Sequence, residues 1–179
     1  MLSTPRLLFR QFTPADLDQL YREIYSHPEV ARVMSPTGTI SLQQTASLLA
    51  RRLQHWQRHG FGAWALIHKQ DQQLIGHCGL HYLADTPDVE LTYTLNPAYW
   101  RQGLATEAGR AVLQWGFETL GLAQIVAVTG PSNIASQRVM QKLGMKYEKT
   151  MQYNGTAALY YTISCLEFDP NETPVEHSG

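Results

Sequence analysis

The segment Trp100-Arg101-Gln102-Gly103-Leu104-Ala105-Thr106-Glu107 speaks most directly of chemistry in this 179-residue chain. It joins a strand-like run to a helix-like one and puts Gly103 and Ala105 at the turn. Small residues there let a ligand approach the backbone. The first amides of a helix have no internal partner and sit at the positive end of its dipole, which suits a phosphate. Each N–H bond to a charged oxygen contributes on the order of 1.5–3 kcal/mol, so several together hold a pyrophosphate without a lysine. Taken alone, the segment is more simply a glycine near a helix start. A second segment runs from Asn133 to Met145, with Asn133 as a helix N-cap. Ser136 stands where a capping box wants Glu or Gln, so the box is incomplete. Glu90 is the third signal, a carboxylate inside a run that otherwise reads as a buried strand. Either it has a chemical task or strand alternation turns it to solvent.

The histidines offer less. His55 and His59 lie four apart on a helix, and His77 and His81 four apart in a strand. No HExxH motif and no third ligand accompany them, so a solvated pair and core or rim histidines are the simpler readings, and no metal is expected. For His81, a substrate contact is a weaker alternative. Trp56, Trp64, Trp100 and Trp115 read as core aromatics.

The elements that must position these residues follow from periodicity. Arg6 to Phe12 suits a first strand. Thr13-Pro14-Ala15-Asp16 starts a helix with the stripe Leu17, Leu20, Tyr21 and Ile24, and His27-Pro28 ends it. Ser41 and Gln44 form a capping box for a long second helix that stops at Gly60. Strands follow at Phe61–His68, Leu74–Tyr82 and, after the Asp85–Asp88 loop, Val89–Leu95. A helix spans Leu104 to Thr119, a strand Gln124 to Thr129, a helix Asn133 to Leu143. Tyr147–Tyr153 and Leu159–Phe168 pair across the turn dipeptide Asn154-Gly155. This order predicts an α/β or α+β fold, a mixed sheet covered by helices, and fits a doubly wound dinucleotide fold poorly. One domain over residues 1–168 is expected, with a frayed polar tail at 169–179.

Composition narrows the class. The chain is 44% hydrophobic and 16% charged, with formal net charge −1. That reads as globular, without the basic excess that nucleic acid or an anionic membrane would call for. The two cysteines, Cys78 and Cys165, sit in apolar runs and read as buried free thiols of a reducing compartment. No signal-peptide pattern and no membrane-spanning apolar run are legible, so the cytoplasm is the expected location.

In order and separation, "TPRLLFRQFTPAD", "IGHCGL", "VELTYTLNPAYWRQGLATEA" and "NIASQRVMQKLGM" resemble the GNAT superfamily of N-acetyltransferases. Within it they look like the branch holding the ribosomal-protein N-terminal acetyltransferases. The resemblance runs from Pro5 to about Phe168. It implies a sheet that splays between Val89–Leu95 and Gln124–Thr129, with the pantetheine arm of acetyl-CoA in the gap. It puts the pyrophosphate on backbone amides near Gln102, Gly103, Leu104 and Ala105, with Thr106 beside them, and Asn133 in contact with the cofactor from across the gap. Two positions depart from the superfamily pattern. Trp100 stands where the superfamily often has Gln or Arg, with Trp common in this branch, and Met140 stands where many members keep a general-acid Tyr.

The resemblance makes Glu90 the general base. Ser136, which matches the branch's motif serine, is the replacement acid, unless a Tyr of the last strand (Tyr160 or Tyr161) serves or the thiolate leaves unassisted. A backbone amide of Val126–Thr129 or Leu91–Thr94 would polarise the carbonyl. An α-amine needs roughly 1.4 kcal/mol to deprotonate at neutral pH and a lysine roughly 4.6, which favours peptide N-termini or other low-pKa amines. Small amines and amino acids compete as acceptors, and aminoglycosides rank last. The expected cosubstrate is acetyl-CoA, with no metal; family members are often dimers, though no interface signature is legible. The competing class is an acetyl-CoA sensor or scaffold without transfer.

Overall fold

The computed structural model describes residues 2–35, 37–84, 86–153 and 155–170. Asp85, Asn154 and the expected tail from residue 171 onward lie outside the described residues. Strands are β1 Leu7–Arg10, β2 Ala63–His68, β3 Leu74–Tyr82, β4 Val89–Leu95, β5 Gln124–Thr129, β6 Lys146–Tyr153 and β7 Thr156–Ser164. Helices are α1 Leu17–Leu20, α2 Pro28–Met34, α3 Leu42–His59, α4 Leu104–Glu118 and α5 Ile134–Lys142. The strands form one seven-stranded sheet in the order β1-β2-β3-β4-β5-β7-β6. Every neighbouring pair is antiparallel except β4 and β5, which are parallel.

Two apolar layers sandwich the sheet. Trp64, Leu66, Ile75, Cys78, Leu80 and Leu91 pack with Leu104, Ala108, Val112 and Leu113 of α4. On the other face Ala65 and Leu74 pack with Leu20, Ile24, Tyr25, Val30 and Leu49 of the N-terminal helices. Strands covered on both faces read as near-continuous apolar runs, which is why β2 and β3 stand out in the sequence. Gly109 is required where α4 meets α5, since a Cβ there would lie 2.7 Å from the Leu143 Cδ1.

The predicted caps form. Ser41 N–H donates to Gln44 Oε1 (2.7 Å) and Gln44 N–H to Ser41 Oγ (3.2 Å), and Gly60 ends α3 in the left-handed region. At the start, Thr13 N–H donates to Asp16 Oδ2 (2.7 Å), and Arg10 grips the same carboxylate through both terminal nitrogens (2.7 and 2.8 Å). Burial opposes ionisation of Asp16, but the Arg10 and Thr13 bonds outweigh it and hold the carboxyl below its ordinary range.

Three expectations are corrected. His27-Pro28 does not end the helical segment. Pro28 takes the first position of α2, where its missing N–H costs nothing. The last strand spans Thr156–Ser164, not Leu159–Phe168: Ser164 N–H and Oγ both bond the Glu167 carboxylate (3.3 and 2.8 Å) and close a turn. Cys165 therefore sits exposed in that turn, while Cys78 is buried and burial pushes its thiol up.

Two histidines make the fold sensitive to acid. His77 is buried, with Tyr25 Oη 3.2 Å from its Nδ1 and Arg52 Nη2 3.0 Å from its Nε2. Burial, with the Arg52 and His81 charges, holds its pKa well below the ordinary 6.5. His55 Nε2 accepts from Tyr82 N–H (3.3 Å), so its proton sits on Nδ1 and goes to Phe61 O (2.7 Å). Burial outweighs that second bond and lowers its pKa too. The folded chain biases both rings toward the neutral form, while the unfolded chain takes up protons once pH falls through 6.5. Their stability contribution is whole above that value and is lost progressively below it, most for the buried His77. Tm is expected to drop between about pH 7.5 and pH 5.5. Scanning calorimetry across that range checks it, and a flat Tm would count against both residues.

Candidate active site

The pairing of β4 with β5 rests on a single register pair, Glu90 with Val126, whereas the β3–β4 ladder runs in register from Gly76–Leu95 to Tyr82–Val89. Beyond that pair the two strands part. A cleft of about 560 Å³ opens there, lined by Glu90–Thr94 of β4, Val128–Asn133 at and beyond the end of β5, and Ser136 and Met140 of α5. Its lips are Arg32–Ser35 at the end of α2 and Tyr153 with Thr156–Ala158 of the last hairpin.

Glu90 is 8% exposed, so alternation does not turn it to solvent. Its Oε1 accepts from Val128 N–H (3.3 Å) and its Oε2 lies 3.2 Å from His81 Nε2. The cross-strand register sets the second contact, because His81 and Glu90 are direct partners. The carboxylate is thus fixed by the strand on either side of its own, at the last point where β4 and β5 touch.

Asn133 caps α5 as expected, its Oδ1 accepting from Ser136 N–H (3.2 Å). The Ser136 hydroxyl is 2.8 Å from Tyr93 Oη, which also donates to Ser136 O (3.1 Å). Burial raises the Tyr93 pKa, against the Ser136 bond, so this hydroxyl keeps its proton at neutral pH. Tyr93 lines the cleft, a place that local patterns do not reveal because it depends on α5 meeting β4. Met140, in the position of the family's Tyr, is buried. Tyr160 donates to Asp88 Oδ2 (2.7 Å) and Tyr161 packs on Tyr147; neither lines the cleft.

The glycine loop lies outside the cleft lining, at the start of α4. Arg101 (φ 60°) and Gly103 (φ 76°) are both left-handed, and Gly103 is the N-cap. Glu107 N–H is the first to bond back, to Gly103 O (2.9 Å), so the earlier amides of the turn are available to a ligand. Gln102 and Gly103 are exposed, Ala105 is half-buried, and Leu104 and Thr106 are buried. Leu104 belongs to the same apolar cluster as Leu91 and Leu95 of β4, the strand that carries Glu90. Arg6 braces the loop: its Nη1 donates to Gln102 O (2.8 Å) and its Nε pairs with Glu107 Oε2 (2.6 Å). Trp100 corrects the core reading, since it is 40% exposed and its indole N–H donates to Leu95 O (2.8 Å). Trp64 is buried, and Trp56 and Trp115 pack against the core.

No group of three or more His, Cys, Asp or Glu that could hold a metal is found among the described residues. No helix among them is long and apolar enough to cross a membrane. His55 belongs to the fold through the bonds described above.

The sheet thus opens between parallel neighbours, with a buried carboxylate in the opening and a turn of unpartnered amides at the start of α4. Comparison with known proteins supplies the class. The sequence profile of an acetyltransferase (GNAT) domain matches residues 6–146. The uncharacterized N-acetyltransferase YoaA of Bacillus subtilis (strain 168) is 32% identical over 161 residues, covering 87% of this chain and 90% of that one. A crystal structure of an acetyltransferase from Agrobacterium tumefaciens superposes with TM-score 0.79 at 27% identity, over 90% of this chain and 92% of that one. RimL, a ribosomal L7/L12 alpha-N-protein acetyltransferase in complex with coenzyme A, shares the fold at 16% identity (TM-score 0.75, 92% and 96% covered). The chain belongs to the GNAT family and is an acetyltransferase.

Proposed function

We propose that this acetyltransferase moves the acetyl group of acetyl-CoA directly to a primary amine, with Glu90 as general base. The observation that carries the proposal is the buried Glu90, fixed at the mouth of the opening between β4 and β5. The amides of Gln102, Gly103, Leu104, Ala105 and Thr106 fit a pyrophosphate, because they precede Glu107 N–H, the first amide of α4 that bonds back into the turn. Asn133 lies across the opening. Acetyl-CoA supplies an activated thioester. Glu90 takes the proton from the amine, and a hydroxyl of the Tyr93–Ser136 pair gives one to the departing sulfur. No covalent acetyl-enzyme is invoked: Cys78 is buried with its thiol held protonated, and Cys165 lies in the turn after β7.

Within that pair Tyr93 is the stronger candidate donor, because Ser136 Oγ lies 2.8 Å from its Oη and can replace the proton it gives up. Tyr93→Phe is expected to lower kcat by roughly ten- to hundredfold, and Ser136→Ala by less. Steady-state rates of the two variants decide it; the reverse order would assign the proton to Ser136.

Among the described cleft-lining residues Glu90 is the only carboxylate and Arg32 the only basic side chain. A polycationic acceptor would have Glu90 alone to pair with. This supports an acceptor with one amine, a peptide N-terminus or a small amine, over aminoglycosides and polyamines. The sensor reading rests on Met140 replacing the family's Tyr, and the Tyr93 hydroxyl argues against it. The test is thiol release from acetyl-CoA across short peptides with varied N-termini, amino acids, polyamines and aminoglycosides. Amine-dependent release with the monoamines supports the proposal. Acetyl-CoA binding with no release from any acceptor favours the sensor.

A further inference from the structure

We propose that His81 is the outlet for the proton that Glu90 takes from the acceptor amine, so that the working base is a carboxylate–imidazole pair. This rests on the acetyl-transfer reading above. A carboxylate that collects a proton in each turnover must pass it on before the next. Glu90 is poorly placed to do so alone: its side chain is 10% exposed, and Oε1 is engaged by Val128 N–H. Its other oxygen faces His81 Nε2 at 3.2 Å, and the His81 side chain is 34% exposed. The imidazole therefore spans from the buried oxygen to water, and the cross-strand register holds it there.

The step balances without another reagent. The amine N–H bond breaks and the proton joins Glu90. The Glu90 O–H bond then breaks as the His81 Nε2–H bond forms. The imidazolium sheds its Nδ1 proton to water at the exposed edge, and proton exchange with water then restores the Nδ1–H tautomer, so that Nε2 is free to accept again and both groups return to their starting state. The groups facing His81 are Glu90 from β4, His55 from α3 with ring centroids 6.4 Å away, and His77 on its own strand. His59 reaches it only through His55. Tyr93 and Tyr160 lie near enough to feel the Glu90 charge. His55 and His77 are both held neutral, so neither competes for the proton near neutral pH.

His81→Gln keeps a polar side chain against Glu90 and removes the proton carrier. At low buffer concentration kcat is expected to fall roughly ten- to hundredfold, with KM for acetyl-CoA unchanged. Added imidazole should restore most of the rate, and the acid limb of the kcat–pH profile should change. A merely structural histidine would give neither rescue nor an altered limb, and that outcome overturns the proposal. So does full activity of His81→Gln at low buffer. Should the variant misfold, the imidazole ¹⁵N resonances of His81 in the otherwise intact chain take its place. They are expected to shift in Glu90→Gln, and unmoved resonances overturn the pairing. A wild-type chain that releases no thiol with any amine overturns the acetyl-transfer reading and this proposal together. An active wild type with a slow Glu90→Gln and a full-rate His81→Gln overturns this one alone.

Discussion

Replacing Glu90 with Gln is expected to lower kcat by about 10²- to 10⁴-fold while leaving the affinity for acetyl-CoA nearly intact. The substitution is close to isosteric. The amide oxygen can still accept from Val128 N–H, and the amide nitrogen can meet His81 Nε2 as a donor. The junction of β4 and β5 should therefore survive, and the proposed cofactor loop lies elsewhere, at the start of α4. Only proton acceptance is lost. The deficit should be larger for an ε-amine acceptor than for an α-amine, because roughly 3 kcal/mol more is needed to deprotonate it at neutral pH. Steady-state kinetics with one acceptor of each kind, beside a direct acetyl-CoA titration, checks both parts. Undiminished kcat would remove Glu90 from the chemistry; weakened cofactor binding would recast it as structural.

Gly103→Val is expected to weaken acetyl-CoA binding by about a hundredfold or more, with kcat at saturation close to the parent's. Steric contact is not the cause, since the nearest atom to an added Cβ is Arg6 Nη2 at 3.6 Å. The backbone is the cause. Gly103 sits at φ 76°, and a β-branched residue there is strained by about 1–2 kcal/mol or more. The turn would relax and swing its amides off the pyrophosphate, and two lost charge-assisted bonds suffice for the stated loss. Gly103→Asn, which tolerates the left-handed region, should bind better than the Val variant. Isothermal titration of both variants decides it. Equal affinity across the series would place the pyrophosphate somewhere other than this turn.

Local signals in the sequence carried much of this architecture. β2 and β3 announce themselves because burial on both faces leaves few polar residues in them, and β4 because β-branched and aromatic residues dominate it. α3 and α4 show a clear apolar stripe; Ser41 and Asn133 mark helix starts through side-chain bonds that span three residues, and Gly60 marks a helix end through its left-handed backbone and an N–H bond to Trp56 O. Signals failed where a local pattern had two solutions. Pro28 looks like a stop and is a start. Leu166 prolongs an apolar run yet is 94% exposed, because the Ser164–Glu167 bonds had already turned the chain. In the site, Glu90 stood out as a misplaced charge. Its partners did not: His81 depends on the β3–β4 register, and Tyr93 on how α5 lies against β4. Neither arrangement is written into any short stretch.

The brace from Arg6 to Glu107 closes a loop in which the partners stand 101 positions apart. Thr4 Oγ1 adds a 2.6 Å bond to the same carboxylate, and Arg6 N–H another at 3.0 Å. Contacts of such separation are entropically costly to close and belong to the late part of a folding trajectory. A chain emerging during synthesis can build α3 and the β2–β3 hairpin from neighbours. It cannot finish the turn at Gln102–Gly103 until its own first strand has been captured by α4. The turn proposed to hold the nucleotide end of acetyl-CoA is thus braced from the far end of the chain, and its shape is a property of the nearly completed fold.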